Sequence, residues 1–232
     1  MSVDKLSVFF PVHNEEENIT LTLEKGLKIL KSLPLLEYEV LLVENGSKDK
    51  SPEVVDDLAK KHPGVKSVHI PTGGYGYALR AGFDNAKYDW VIYSDADGQF
   101  DFAEITRFLE KADKPKAIWG YRMKRQDPIF RLLAAKGWAL SLFILFGLRL
   151  KDVDCGFKMV HKSILDKIPK LESTKGGMIN AELAYKTRKA GFDIDQVGVT
   201  HYPRMAGEPT GVKLDVIIQS YLDLLKLRLK LR

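Results

Sequence analysis

The chain holds a single cysteine, Cys155, among its 232 residues. That excludes an intramolecular disulfide and fits a reducing compartment. No run approaches the ~18 apolar residues that a bilayer span requires. The longest candidate, residues 138–148, is short and bounded by Lys136 and Arg149. The opening Met1-Ser2-Val3-Asp4-Lys5 lacks the basic start and small-residue cleavage site of a secretion signal. The five histidines and one cysteine show no zinc-ligand spacing. His62 and His69 are expected on the surface, and His161 has no partner pattern. There is no recognised nucleic-acid motif, internal repeat or low-complexity tract.

What is present suits one sizeable α/β domain: 45% hydrophobic residues fill a substantial core. The net charge of +5 is unevenly spread. Arg122, Lys124, Arg125, Arg131 and Lys136 face only Asp127 in their stretch, and residues 226–232 carry four basic residues and no acid. Such runs are either solvated faces or attract phosphates or an anionic membrane surface.

Apolar strand-like runs alternate with helical patterns through the first half. Strands are expected at 6–12, 38–43, 65–70, 90–94 and 117–121. Helices are expected at 15–33, capped by Asn14, at 51 onward with Ser51 as cap and Pro52 in the first position, and at 77–85. Asp101 and Glu104 form a D-x-x-E capping pattern. Further on, helices are expected at 128–148 and 179–190, and strands at 157–160 and 194–199. From Val212 an amphipathic helix follows, with Leu214, Ile217, Ile218, Tyr221, Leu224 and Leu225 on one face. The alternation predicts a doubly wound, mostly parallel sheet over residues 1–211 with a C-terminal amphipathic helix over 212–232. Ligands bind such sheets at the carboxyl ends of the strands. The unusual polar residues fall there: His13-Asn14-Glu15, Glu44-Asn45-Gly46-Ser47, Thr72-Gly73-Gly74-Tyr75 and Asp95-Ala96-Asp97.

The run Tyr93-Ser94-Asp95-Ala96-Asp97-Gly98-Gln99-Phe100 is the most informative. Two carboxylates at i, i+2 where a buried strand reaches solvent fit either a solvated turn or a site for a hard divalent cation that in turn holds a diphosphate. Oxygen-only ligands favour Mg²⁺ or Mn²⁺ over zinc.

Several segments together resemble the family 2 glycosyltransferases. Residues 10–19, Phe-Pro-Val-His-Asn-Glu-Glu-Glu-Asn-Ile, resemble that family's P-x-x-N-E-x-x-N-I opening, and Val43-Glu44-Asn45-Gly46-Ser47-Lys48-Asp49 its V-D-D-G-S-x-D loop. Asp95-Ala96-Asp97-Gly98-Gln99 is similar to the D-A-D-x-Q motif of the dolichol-phosphate mannose synthase branch. Gly120-Tyr121-Arg122, Arg131, the run from Asp152 to Lys158 and the run from His201 to Gly207 continue the match. The resemblance implies a GT-A fold. It implies a nucleotide pocket at Pro11, His13 and Glu15, with Glu44 in place of the acid that meets the base. Asp97 and Gln99 are implied as metal ligands, with Asp95 near ribose and metal. Arg122 and Arg131 are implied as phosphate-binding cations, and His201 and Arg204 as closing over the diphosphate with Gly207 as hinge. Asp154 and Glu182 are implied near the acceptor, though Glu182 equally fits an exposed helix position, and Gly156-Phe157 under the sugar.

The matching branch moves one sugar from a nucleotide donor, here a GDP- or UDP-linked hexose such as mannose or glucose, to a polyprenyl phosphate, with inversion. A phosphate monoester is largely ionised at neutral pH and needs no catalytic base. A lipid acceptor implies a peripheral site on the cytoplasmic face of a membrane, where residues 138–148 and the basic tail would lie in the interface. The other cover for 138–148 is the core or a second copy of the chain. Two further functions fit the residues: transfer to a sugar hydroxyl, with Asp154 or Glu182 as base, and a silent nucleotide-sugar- or membrane-binding protein.

Overall fold

The computed structural model describes residues 3–123, 129–174, 176–204 and 214–230; the side chains of 129–134, 176 and 214–219 lie outside the described set. Strand and helix alternate from the start: β1 (Lys5–Val12), α1 (Ile19–Ser32), β2 (Glu37–Asn45), α2 (Ser51–Lys61), β3 (Val65–Ile70), α3 (Tyr75–Asn85) and β4 (Trp90–Tyr93). A 3-10 turn at Phe102–Glu104 leads into α4 (Ile105–Leu109), then β5 (Ala117–Met123) and α5 (Ile129–Phe146). β6 (Lys158–His161), α6 (Lys162–Lys167), α7 (Gly176–Lys189), β7 (Ile194–Thr200) and α8 (Leu214–Lys230) complete the order.

The strands form one seven-stranded sheet in the order β3-β2-β1-β4-β6-β5-β7. All run the same way except β6, which is antiparallel to both β4 and β5. The mostly parallel sheet expected from the sequence is therefore mixed at one strand. The reason lies in the connection: α5 and residues 147–157 bring the chain back to the edge where β5 stops, so β6 can only run inward from there. Lys158, its first residue, pairs with Tyr93 at the carboxyl end of β4 and with Trp119 in β5.

The sheet is packed on both faces by the alternation of β1. Val8, Phe10 and Val12 join the core under α1, α2 and α4. Phe9 points to the other face, among Leu41, Val43, Tyr93 and Trp119 under α3, α5, α7 and α8. Its ring stacks on Tyr93 at 5.0 Å and meets Phe83 edge-on at 5.4 Å. Each such fully buried ring contributes about 1.5–3 kcal/mol.

Four local expectations change. Ser51 does not cap α2: it is the first residue of the helix, and its Oγ accepts Glu15 N–H at 2.8 Å. Asn14 does not cap a helix: it takes a left-handed φ of 55°, accepts Lys48 N–H at 2.8 Å and donates its own N–H to Ser47 Oγ at 3.0 Å. A tight turn closed by Asn18 and Ile19 N–H onto the Glu15 carbonyl follows, so α1 starts at Ile19. Asp101 does cap, accepting from Ala103 N–H at 3.0 Å. Glu104 instead reaches β7, holding Thr200 N–H at 2.6 Å and its hydroxyl at 3.0 Å. The helix α6 was not anticipated from the sequence.

In α5, Leu142 and Phe146 are buried whereas Leu140, Phe143 and Ile144 are exposed. α8 lies beside it: Trp138 meets Tyr221 edge-on at 5.4 Å and Arg228 lies over Phe146 at 6.0 Å. Leu224 and Leu227 of α8 are buried, and Leu222, Leu225 and Leu229 are exposed. Among the described residues no helix is long and apolar enough to cross a membrane.

Candidate active site

The carboxyl ends of β1, β2 and β4 and the start of β6 converge on one corner. Asp95 follows β4 and lies between two supports. Tyr75, at the start of α3, donates its hydroxyl to Asp95 Oδ1 at 2.9 Å. On the other side Asp95 N–H bonds the Gly156 carbonyl at 3.2 Å. A Cβ at position 156 would fall 1.9 Å from Asp95 Oδ2, so only glycine fits against this carboxylate. Two residues on, Asp97 Oδ1 accepts Gln99 N–H at 3.1 Å, and Gln99 Nε2 donates to the Tyr202 carbonyl at 2.9 Å. Thr22 of α1 pins the loop from behind through the Ala96 carbonyl at 3.0 Å.

Arg204 spans this corner. Its Nη2 donates to Glu15 Oε1 at 2.5 Å, and its Nη1 lies 3.6 Å from Asp97 Oδ2. Glu15, Asp95, Asp97, Gln99 and Arg204, scattered over 190 residues of sequence, thus share one corner as expected. Burial, then the neighbouring charges of Asp95 and Glu15, raise the Asp97 carboxyl to about 7, against the pull of Gln99 N–H and Arg204. Asp95 is also raised by burial, opposed by Tyr75, Lys158 and the nearby arginines.

A pair of crowded, partly buried carboxylates fits a divalent cation, which would relieve their mutual repulsion. Among the described residues no three His, Cys, Asp or Glu side chains form a metal-ready cluster. Two carboxylates and one amide would suit a hard cation that takes its remaining oxygens from a diphosphate and water.

The remaining residues divide. Pro11 is buried in β1 opposite Val43, and His13 is exposed at the strand end with Nδ1 2.7 Å from the Asn45 carbonyl. Glu44 is turned inward: its Oε1 accepts Ser47 N–H at 2.6 Å, and its Oε2 lies 3.4 Å from His69 Nδ1. The carboxylate expected to meet the base is spent on its own loop. His69 is exposed as expected yet partnered: its hydrogen bond to Asp56, with Glu44 nearby, holds its pKa up against partial burial. His201 stacks edge-on against Phe100 at 5.2 Å and pairs with it in a short bridge.

Arg122 is gripped by Asp152 through both arms of its fork, at 2.6 and 2.9 Å. One edge of the guanidinium, Nε and Nη2, is thus occupied by a carboxylate from the same chain. Arg131 lies in α5, and its side chain falls outside the described residues, as does Gly207. Asp154 is held up by burial, and its Oδ1 has no hydrogen-bond partner among the described residues.

Glu182 is not exposed. It is 1% exposed on α7, and accepts Lys186 Nζ at 2.6 Å, Glu172 N–H at 3.0 Å and Ser173 N–H at 2.8 Å. Burial pushes its carboxyl up, but these donors outweigh it and the pKa sits below the usual range. Helical spacing accounts for the Lys186 pair four residues on but could not reveal the two backbone donors, which lie nine and ten residues upstream.

Two residues were missed. Tyr75 stood out only as part of a polar loop. Lys158 is wholly buried in β6, donating to the Cys155 carbonyl and to Asn180 Oδ1 at 3.1 Å beneath the Tyr93 and Trp119 rings. It pins the turn that carries Gly156.

Comparison with solved structures shows the fold. Glucosyl-3-phosphoglycerate synthase from Mycobacterium tuberculosis, in complex with Mn²⁺, uridine diphosphate and glucosyl-3-phosphoglycerate, superposes with a TM-score of 0.69 at 20% identity, covering 97% of this chain and 80% of that one. The same enzyme with Mg²⁺ and uridine diphosphate gives 0.68 at 19%, covering 97% and 79%. This is the GT-A arrangement that the motifs implied. Among curated proteins, undecaprenyl-phosphate 4-deoxy-4-formamido-L-arabinose transferase of Proteus mirabilis is 34% identical over 167 residues, 71% of this chain and 51% of that protein. The transferase of the same name from Aeromonas hydrophila is 35% identical over 165 residues, 69% and 50% respectively. The chain therefore spans about half the length of the curated relatives it matches. The family model for glycosyl transferase family 2 matches residues 7–168, a span that contains the Asp95–Asp97 corner, the Glu15 turn and the Gly156 turn, and the chain belongs to that family.

Proposed function

We propose that this chain transfers one sugar from a nucleoside-diphosphate sugar to a polyprenyl phosphate at a membrane surface. The observation that carries the reading is the corner of Asp95, Asp97 and Arg204, crowded acids beside a cation where the strands end. The curated relatives are named for transfer to undecaprenyl phosphate, which supports the acceptor class.

Asp97 and Gln99, with Asp95 beside them, would hold Mn²⁺ or Mg²⁺. When bound there, that cation supplies charge neutralisation for a departing diphosphate. Arg204, freed from Glu15, adds two directed hydrogen bonds to the same oxygens. The β1 and β2 loops, at His13 and Glu44, form the floor for the nucleoside. An ionised phosphate oxygen of the acceptor attacks the anomeric carbon as the bond from that carbon to the diphosphate oxygen breaks. One displacement inverts the centre. No proton needs removal, so a phosphate acceptor suits a chain in which the candidate base Glu182 is already spent on backbone and Lys186. A sugar hydroxyl would leave Asp154 as the remaining candidate base.

The exposed stripes Leu140, Phe143 and Ile144 on α5 and Leu222, Leu225 and Leu229 on α8, with Arg149, Lys226, Arg228 and Lys230 around them, support contact with an anionic bilayer. The donor is a GDP- or UDP-linked sugar, with mannose and glucose the first candidates. The test is purified protein with Mn²⁺, undecaprenyl phosphate and a panel of GDP-mannose, UDP-glucose and a UDP-linked 4-formamidopentose. Lipid-linked sugar that requires both donor and cation is expected. Nucleotide binding with no glycolipid from any donor would overturn the reading, and glycosylation of a soluble glycan without lipid would replace the acceptor.

A further inference from the structure

Glu182 and Tyr75 are joined by one segment of chain. Residues 171–174 run between α7 and the start of α3. From the α7 side, both Glu182 oxygens hold the N–H groups of Glu172 and Ser173. On the α3 side, the Thr174 carbonyl accepts Gly76 N–H at 2.8 Å, and Arg80 Nη1 donates to the Leu171 carbonyl at 2.9 Å. The contact is close enough that a Cβ at position 76 would fall 2.2 Å from the Ser173 carbonyl. The first turn of α3 is therefore seated on this strap. Its first residue is Tyr75, whose hydroxyl reaches Asp95 at 2.9 Å.

Asp95 has few other ways to be held. The Gly156 turn closes against its Oδ2 side with backbone, and among the described residues the side-chain hydrogen bond to this carboxylate is the one from Tyr75. The Tyr75 hydroxyl is the directed bond that sets the carboxylate plane. Groups that orient a metal- or diphosphate-binding carboxylate without touching the ligand commonly control affinity as strongly as the ligands do.

We propose that Tyr75 is a positioning residue of the donor site and that Glu182 supports it from a distance through the 171–174 strap. The inference rests on the donor-site reading above and deepens it. Glu182 then acts on the cation and diphosphate without meeting any substrate. Replacing it with glutamine puts an amide N–H₂ against a backbone N–H, so the strap loses an acceptor and the seat of α3 shifts.

The test compares Tyr75→Phe, Glu182→Gln and the double variant. Free Mn²⁺ is titrated by electron paramagnetic resonance in the presence of UDP or GDP, and turnover is measured alongside. Tyr75→Phe should weaken Mn²⁺ binding roughly tenfold while the melting temperature of the metal-free protein stays nearly constant. Glu182→Gln should weaken Mn²⁺ binding in the same direction. The double variant should bind no worse than Tyr75→Phe, because both changes act through one hydroxyl. Should Glu182→Gln not fold, Arg80→Met, which releases the Leu171 carbonyl, takes its place with the same expectation. Wild-type protein that binds no Mn²⁺ with either nucleotide overturns the donor-site reading and this inference with it. Wild-type binding that Tyr75→Phe leaves intact, or effects that multiply in the double variant, overturns this inference alone.

Discussion

Gly156→Ala is the smallest change that should disable the corner. The added Cβ would lie 1.9 Å from Asp95 Oδ2, 2.2 Å from Cγ and 2.5 Å from Oδ1, where ordinary contact begins at 3.4 Å. Something must move by roughly 1.5 Å, and a buried interior has little slack for that. The turn is poorly placed to yield: Phe157 is fully buried, its carbonyl accepts Gly120 N–H at 2.9 Å, and Lys158 holds the Cys155 carbonyl. The Asp95 side chain is the softer partner, so it should swing away and lose Tyr75. A misplacement of about 1 Å in a reacting array can cost about 100-fold in rate, near 2.7 kcal/mol. The expected effect is therefore at least a 100-fold fall in Mn²⁺-dependent release of nucleoside diphosphate from the donor with lipid acceptor saturating. Overpacking should cost about 1–3 kcal/mol of stability, or roughly 2–12 °C in melting temperature for a chain this long. Turnover within threefold of wild type in a folded variant would refute the view that the glycine exists to admit the carboxylate.

Asp152→Asn leaves the Arg122 guanidinium, 18% exposed, without its counter-charge; a loss of about 3 kcal/mol, or about 6–12 °C, should appear in thermal melts, and an unchanged melt would show that the pair is not structural. The Asp97 carboxyl, raised to about 7 by burial and its acidic neighbours, keeps a proton in the native metal-free protein that the unfolded chain sheds near 4. Its contribution to stability is full below pH 4 and is lost as pH rises toward 7. Because Mn²⁺ must displace that proton, the stabilisation that Mn²⁺ confers should grow with pH up to about 7 and then level off; thermal shifts with Mn²⁺ that are flat from pH 5.5 to 7.5 would contradict this. Ile144→Asp combined with Leu225→Asp should abolish most flotation with anionic vesicles while nucleotide-induced thermal shifts persist; undiminished flotation would remove the α5–α8 face from any membrane role.

The alternation of strands and helices was legible because buried parallel strands read as continuous apolar runs between helical periods. So was the corner, since Glu15, Asp95, Asp97, Gln99 and Arg204 each sit at a strand end or in a recognisable motif. The direction of β6 was not, because a four-residue strand, Lys-Met-Val-His, carries no signal of which way it runs and only the preceding connection decides. Asn14 misled because asparagine suits both a helix cap and a left-handed turn, and Ser47 and Lys48, which select the turn, lie over thirty residues away. Arg122 and Glu182 posed the same difficulty. A basic or acidic residue at a plausible spacing says nothing about Asp152 or the 172–173 backbone, which claim those side chains only once the chain has folded.

The single reversed strand changes what the working rim of the sheet is built from. A wholly parallel sheet furnishes its working rim only with what comes after each strand, one loop apiece. Turning β6 around lends the rim a segment that comes before a strand, and the Asp152–Phe157 turn uses that place to close on Asp95 from the side opposite Tyr75.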